Sequence, residues 1–138
     1  MITTARVELQ TLGNAHILNI TRSVTDEVRQ SGINSGIVTV FCPGATGAVT
    51  TIEFEEGAVR DFRRLFDEIA ASDRAYAHNA LAGDGNGHSH VRAALLGPSL
   101  TVPFVDGKLI LGTWQEIIFV DFDNRPRQRS IVLQIMGE

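Results

Sequence analysis

Residues 117–122 read Ile-Ile-Phe-Val-Asp-Phe, and this run limits the possible folds more than any other stretch. A β-strand sends successive side chains to opposite faces. Five large apolar residues in six positions therefore load both faces of such a strand, and both faces need apolar cover. The chain has 138 residues. That suits one domain, 1–138, burying roughly two thirds of its unfolded surface. In a chain this short a partner subunit is a natural cover for the second face, so a homo-oligomer is expected.

The rest of the chain supplies mostly strands. Residues 6–10 alternate apolar and polar, a Gly13-Asn14 turn follows, and residues 16–20 form a second short strand; the pair reads as a hairpin. A helix capped by Thr21 or Ser23 runs to about Gln30, with Val24 and Val28 on one face. Residues 36–42 read as a central strand and 49–54 as another. Val59, Phe62, Leu65, Phe66 and Ile69 at helical spacing mark the one long helix. Residues 72–90 are Gly-rich and loose, and residues 91–96 fit a helical turn or a strand equally. Strands then cover 100–105, 109–122 with a kink at Gly112, and 130–136, with Asp106-Gly107 as a strong hairpin turn. Without a steady strand–helix–strand alternation, the expected class is α+β: a compact, largely antiparallel sheet or sandwich with two to three helices.

Composition removes several function classes. With 12 basic against 16 acidic residues the net charge is −4, and no basic block is present to neutralise phosphates, so no nucleic-acid partner is expected. No stretch approaches the roughly 20 apolar residues of a membrane helix, and the first residues lack the charged lead and apolar run of a secretory signal. Cys42 is the single cysteine, which rules out an intramolecular disulfide and fits a reducing, cytoplasmic setting; at the end of an apolar strand it reads as an inert thiol.

The chemistry concentrates between residues 76 and 92. His78, His88 and His90 lie within thirteen positions, and three imidazoles with an open fourth position make a catalytic metal shell. If residues 88–90 are extended, His88 and His90 share a face; if Asn86 caps a helix, the rings diverge and one alone meets His78. Asp84 stands beside them. The Asp84-Gly85-Asn86-Gly87 loop can turn backbone N–H groups on an anion, and reads equally as a surface turn. Gly44-Ala45-Thr46-Gly47-Ala48 offers the Thr46 hydroxyl to a ligand, or simply joins two strands. Trp114 and Gln115 point to opposite strand faces, one toward the core and one toward a ligand or partner. Glu53 reads as a solvated strand residue. Among the arginines, Arg92 stands out for phosphate binding, being two residues from His90, whereas Arg125 reads as a solvated turn residue.

Taken in order, Tyr76-x-His78, Asp84-x-Asn86-x-His88-x-His90, Leu96-Gly97-x-Ser99-Leu100-Thr101-Val102-Pro103, Asp106-Gly107-x-Leu109, Leu111-Gly112-Thr113-Trp114-Gln115 and the terminal Gly137-Glu138 resemble the YjbQ-like family, over essentially the whole chain. The resemblance implies a compact β-rich α+β fold assembled as a homotrimer, with a histidine-lined cleft near a subunit boundary. It implies weak, secondary thiamine-phosphate synthase activity, joining a pyrimidine pyrophosphate to a thiazole phosphate, and so a small phosphorylated substrate. His78 and His90 carry over as metal or active-site residues; His88, Asp84, Arg92, Trp114 and Gln115 carry over more loosely. Histidine ligands suit zinc or another divalent transition metal, and a pyrophosphate substrate suits magnesium. Many members have His-Thr-Ser-Ala after the third strand where this chain has Gly44-Ala45-Thr46-Gly47-Ala48, and His88 is expected to stand in for that histidine. Three readings follow: with the resemblance, a thiamine-phosphate synthase-like transferase using His78, His90, Arg92 and Gln115 for catalysis with Asp84, Asn86, Thr46 and Trp114 around the substrate; a non-enzymatic metal- or ligand-binding trimer; or a different metal-assisted hydrolase or phosphoryl-transfer enzyme using the same residues.

Overall fold

The computed structural model describes residues 1–138. Its elements run β1 (Ile2–Thr11), β2 (His16–Asn19), α1 (Thr21–Gln30), β3 (Gly36–Phe41), β4 (Gly47–Glu53), α2 (Glu56–Ile69), α3 (Ala77–Ala82), α4 (Gly87–Leu96), β5 (Ser99–Val105), β6 (Lys108–Leu109), β7 (Gln115–Asp121) and β8 (Arg127–Gly137). Five strands form one sheet in the order β1-β8-β3-β5-β6, and three form a second in the order β2-β7-β4. Every pairing is antiparallel. The expected α+β class holds, with four helices rather than two or three.

Two expectations from the sequence change. β1 and β2 do not form a hairpin: β1 pairs with β8 and β2 with β7, in different sheets. The Gly13-Asn14 turn carries the chain across the sandwich. The stretch 109–122 is also not one strand. It breaks at residues 110–114, where the Gln115 side-chain oxygen accepts the Gly112 N–H at 3.0 Å. The Asp106-Gly107 hairpin does form between β5 and β6; both residues take positive φ, 52° and 71°, as a turn matching the strand twist requires.

The apolar run finds its cover inside the chain. Ile117 and Phe119 join Val38, Val40, Leu133 and Ile135 in the core between the sheets, closed at one end by Val24 and Val28 of α1. Ile118, Val120 and Phe122 face the other way, against Phe66 of α2 and Ala93 of α4. All five apolar residues of residues 117–122 are fully buried, and their burial contributes on the order of 10 kcal/mol. The helices are therefore a third layer, and the run does not require a partner subunit. Glu55 caps α2, its carboxylate accepting the Gly57 and Ala58 N–H groups, and lies below its usual carboxyl range because of those two bonds.

Candidate functional site

The loose stretch 72–90 and the ambiguous residues 91–96 resolve into two short helices joined by a tight turn. α3 ends at Gly83, whose φ of 69° is the left-handed cap that glycine adopts without a Cβ penalty. Gly85, at φ 71°, reverses the chain again so that α4 starts at Gly87. α4 docks on the sheet through a buried serine: Ser89 donates from Oγ to the Phe122 carbonyl at 2.5 Å and lies 2.8 Å from the Asn86 side-chain oxygen.

This turn gathers His78, Asp84 and His90. One ligand-capable atom from each lies within 4.8 Å of the others. The His78 and His90 rings meet edge to face, 4.5 Å between centroids. Asp84 accepts the Asn86 backbone N–H at 3.0 Å and lies 2.9 Å from His78 Nε2. The Asn86 bond, reinforced by His78, holds the Asp84 carboxyl below its ordinary range, so it is an ionised acceptor. His78 Nε2 thus faces the carboxylate, and an ion bound between the two would take the place of the proton they share. His90 Nδ1 lies 2.9 Å from the Ala45 carbonyl, which can only accept, so His90 donates there and its Nε2 is the atom left for another partner. Two imidazoles and one carboxylate are a donor set that suits zinc or a similar divalent ion. A groove of about 260 Å³ opens beside His90, walled by Gly44, Ala45, Gly47, Ala93, Ala94 and Pro98.

His88 does not join this cluster. On a helix, residues two apart point in opposing directions, and α4 buries His88 on its other side, 5% exposed, with its Nδ1 unpartnered. Burial, then the Arg92 charge, holds its pKa below the usual histidine value. The structure thus brings His78 and His90 together with Asp84, and sets His88 apart from them. Arg92 turns away from His90 for the same reason. It is buried, donates from Nε to the Ala70 carbonyl at 2.9 Å, and lies 5.8 Å from both the Phe66 and Phe122 ring centroids. His16, the fourth histidine, accepts the Leu12 N–H within its own turn.

The remaining candidates separate in space. Thr46 and Asn86 belong to a buried network behind the cluster. The Arg129 guanidinium donates to Asp121 through Nε and Nη2, at 2.7 and 2.8 Å, and to Thr46 Oγ1 at 2.6 Å. Thr46 donates to Asp123 at 3.1 Å, and Asp123 also takes the Arg127 Nε–H at 3.0 Å and the Asn86 amide at 3.4 Å. Burial pushes the Asp123 carboxyl up, but the bonds from Arg127, Thr46 and Asn86 outweigh it and leave it below the usual range. The bonds that Arg129 donates to Asp121 raise the Arg129 pKa further. These bonds fix the loop whose Ala45 carbonyl orients His90. Gln115 instead donates to Thr51 Oγ1 at 3.1 Å and lines a groove of about 280 Å³ with Leu100 to Pro103. Trp114, 71% exposed, lines another with Glu53 and Phe54. Neither groove includes a residue of the histidine cluster. The Ala45 carbonyl and the Asp121–Arg129 pair were not picked out from the sequence. Backbone acceptors leave no residue signature, and buried ion pairs look like ordinary strand polarity.

The profile of the family described as "UPF0047 protein YjbQ-like" matches residues 5–138. A UPF0047 protein of Methanothermobacter thermautotrophicus is 37% identical over 135 residues, spanning 98% of this chain and 92% of its own. The UPF0047 protein YugU of Bacillus subtilis is 33% identical over 132 residues, 95% of this chain and 97% of its own. The crystal structure of a YbjQ-like protein of unknown function from Sulfolobus solfataricus superposes with a TM-score of 0.94 at 32% identity, covering 100% of this chain and 99% of the other. No helix is long and apolar enough to cross a membrane.

Proposed function

The chain belongs to the UPF0047 YjbQ-like family, and from that premise we propose that it is a metal-assisted transferase of the thiamine-phosphate synthase kind, working on a phosphorylated substrate in the groove beside His90. The observation that carries the reading is the convergence of His78, Asp84 and His90, with His90 held by the Ala45 carbonyl. These three residues would hold a divalent ion, and the chemistry such an ion supplies is positive charge opposite a departing pyrophosphate. In the condensation, the thiazole nitrogen forms a bond to the pyrimidine methylene carbon as the carbon–oxygen bond to pyrophosphate breaks, and the leaving group takes that electron pair. The chain's own part is positioning. The Ala45 carbonyl orients His90, and the small walls of Ala93 and Ala94 leave room for a flat ring. Arg92 and His88 have no place in this step, because α4 turns them to its other side.

The test is product formation from both phosphorylated substrates with zinc or magnesium added. Turnover that needs the ion and disappears in His90→Ala supports the proposal. Ion binding with no turnover under any condition favours the second reading, a non-enzymatic metal-binding protein. One observation speaks for that second reading: the arginine expected to share the pyrophosphate charge does not face the cluster.

A further inference from the structure

A second polar cavity lies on the opposite side of α4. It holds about 140 Å³ and is lined by Asn14, Arg63, Asp67, Ser72, His88 and Arg92. Its charges do not balance. Arg92 is 4% exposed, and its carboxylate partner, Asp67 at 3.3 Å, has a side chain 75% exposed. An exposed carboxylate is screened by water and offsets a buried guanidinium weakly. The Phe66 and Phe122 ring faces help but carry no charge. Arg63 adds a second guanidinium, and its hydrogen bond is from Nε to the neutral Ala15 carbonyl at 3.0 Å. Two cations therefore share one solvated anion. His88 lines the same cavity and brings no negative charge to it.

We propose that this cavity is an oxyanion site, separate from the His78/Asp84/His90 cluster, that takes one phosphate group between Arg63 and Arg92. Guanidinium groups match the oxygen spacing of phosphate and bind it through paired charge-assisted hydrogen bonds. The size limits the ligand. At about 140 Å³ the cavity is well below the roughly 300 Å³ of pockets that enclose drug-sized ligands and matches a single phosphoryl group or inorganic phosphate. Asn14 and Ser72 supply neutral polar groups at its wall.

Calorimetric titration of the full chain with inorganic phosphate, at constant ionic strength set with chloride, tests the site. One phosphate per chain is expected to bind saturably. Arg63→Gln removes one guanidinium at an exposed position and should weaken binding at least about tenfold while leaving the circular dichroism unchanged. His90→Ala should bind phosphate as the parent does, which separates this site from the cluster of the proposed reaction. Acetate at the same concentrations should compete poorly, since it carries a single charge and two oxygens against phosphate's higher charge and four. No saturable heat with the parent chain, equal affinity in Arg63→Gln, or loss of binding in His90→Ala would each overturn the proposal.

Discussion

Replacing Asp121 by Asn tests whether the buried network behind the histidines holds the molecule together. Asp121 is fully buried and accepts four hydrogen bonds: Thr11 Oγ1 at 2.6 Å, Arg129 Nε at 2.7 Å, Arg129 Nη2 at 2.8 Å and the Asp123 N–H at 3.0 Å. An amide keeps the shape but turns an NH₂ toward donors and removes the charge opposing an Arg129 side chain that is 12% exposed. Breaking one partner of a buried pair costs about 3–5 kcal/mol. Asp123, 3.9 Å from Arg129, remains and sets the loss near the lower end, about 3 kcal/mol. Against a total stability of about 5–15 kcal/mol this is a large share. For a chain of this length it lowers the melting temperature by roughly 10–15 °C. Thermal unfolding followed by circular dichroism reads it directly. Asp121→Leu combined with Arg129→Met should lose less than Asp121→Asn alone, because no charge is then stranded. A loss below about 1 kcal/mol in Asp121→Asn, or a double variant equal to the sum of its singles, would refute the reasoning.

Other consequences follow from the same geometry. Asp123 has its folded pKa below the unfolded value, so its contribution is complete above about pH 4 and is lost as the pH falls through the folded value; the urea midpoint should drop there, and less so in Asp123→Asn. A Cβ on Gly87 would stand 2.5 Å from the Tyr76 Cβ and 3.0 Å from Asn79 Oδ1. Gly87→Ala should therefore cost about 1–3 kcal/mol and, by prying α3 from α4, weaken metal binding at His78 and His90 together. Cys42 is 1% exposed and burial raises its thiol pKa, so an alkylating reagent should label it only under unfolding conditions.

The residues announced much of the fold. The Asp106-Gly107 turn, the central position of β3 between β8 and β5, and the α2 stripe ending in the buried Phe66 follow from local pattern. The apolar run at 117–122 correctly demanded cover on both faces. What covers it depends on how far apart in sequence the two layers are. Phe66 and Ala93 reach β7 from 52 and 25 positions before Ile118, and periodicity carries no such distance information. The β1–β2 hairpin failed for a similar reason: a short turn between two strands fits a sandwich corner as well as a hairpin. At the site, His78, Asp84 and His90 were all visible as residue types, but the choice of ligands rested on the conformation of residues 88–90. Once Asn86 starts a helix, the two-residue spacing of His88 and His90 sends them apart, and with them Arg92. The Ala45 carbonyl that holds the His90 ring belongs to the backbone and has no sequence signature.

The central claim is that His78, Asp84 and His90, and not His88, form the metal centre. Zinc stoichiometry by elemental analysis, on the parent chain and on His90→Ala and His88→Asn variants purified without chelator, tests it most directly. The account predicts about one ion per chain in the parent and in His88→Asn, and none in His90→Ala. An ion retained in His90→Ala but lost in His88→Asn would contradict it.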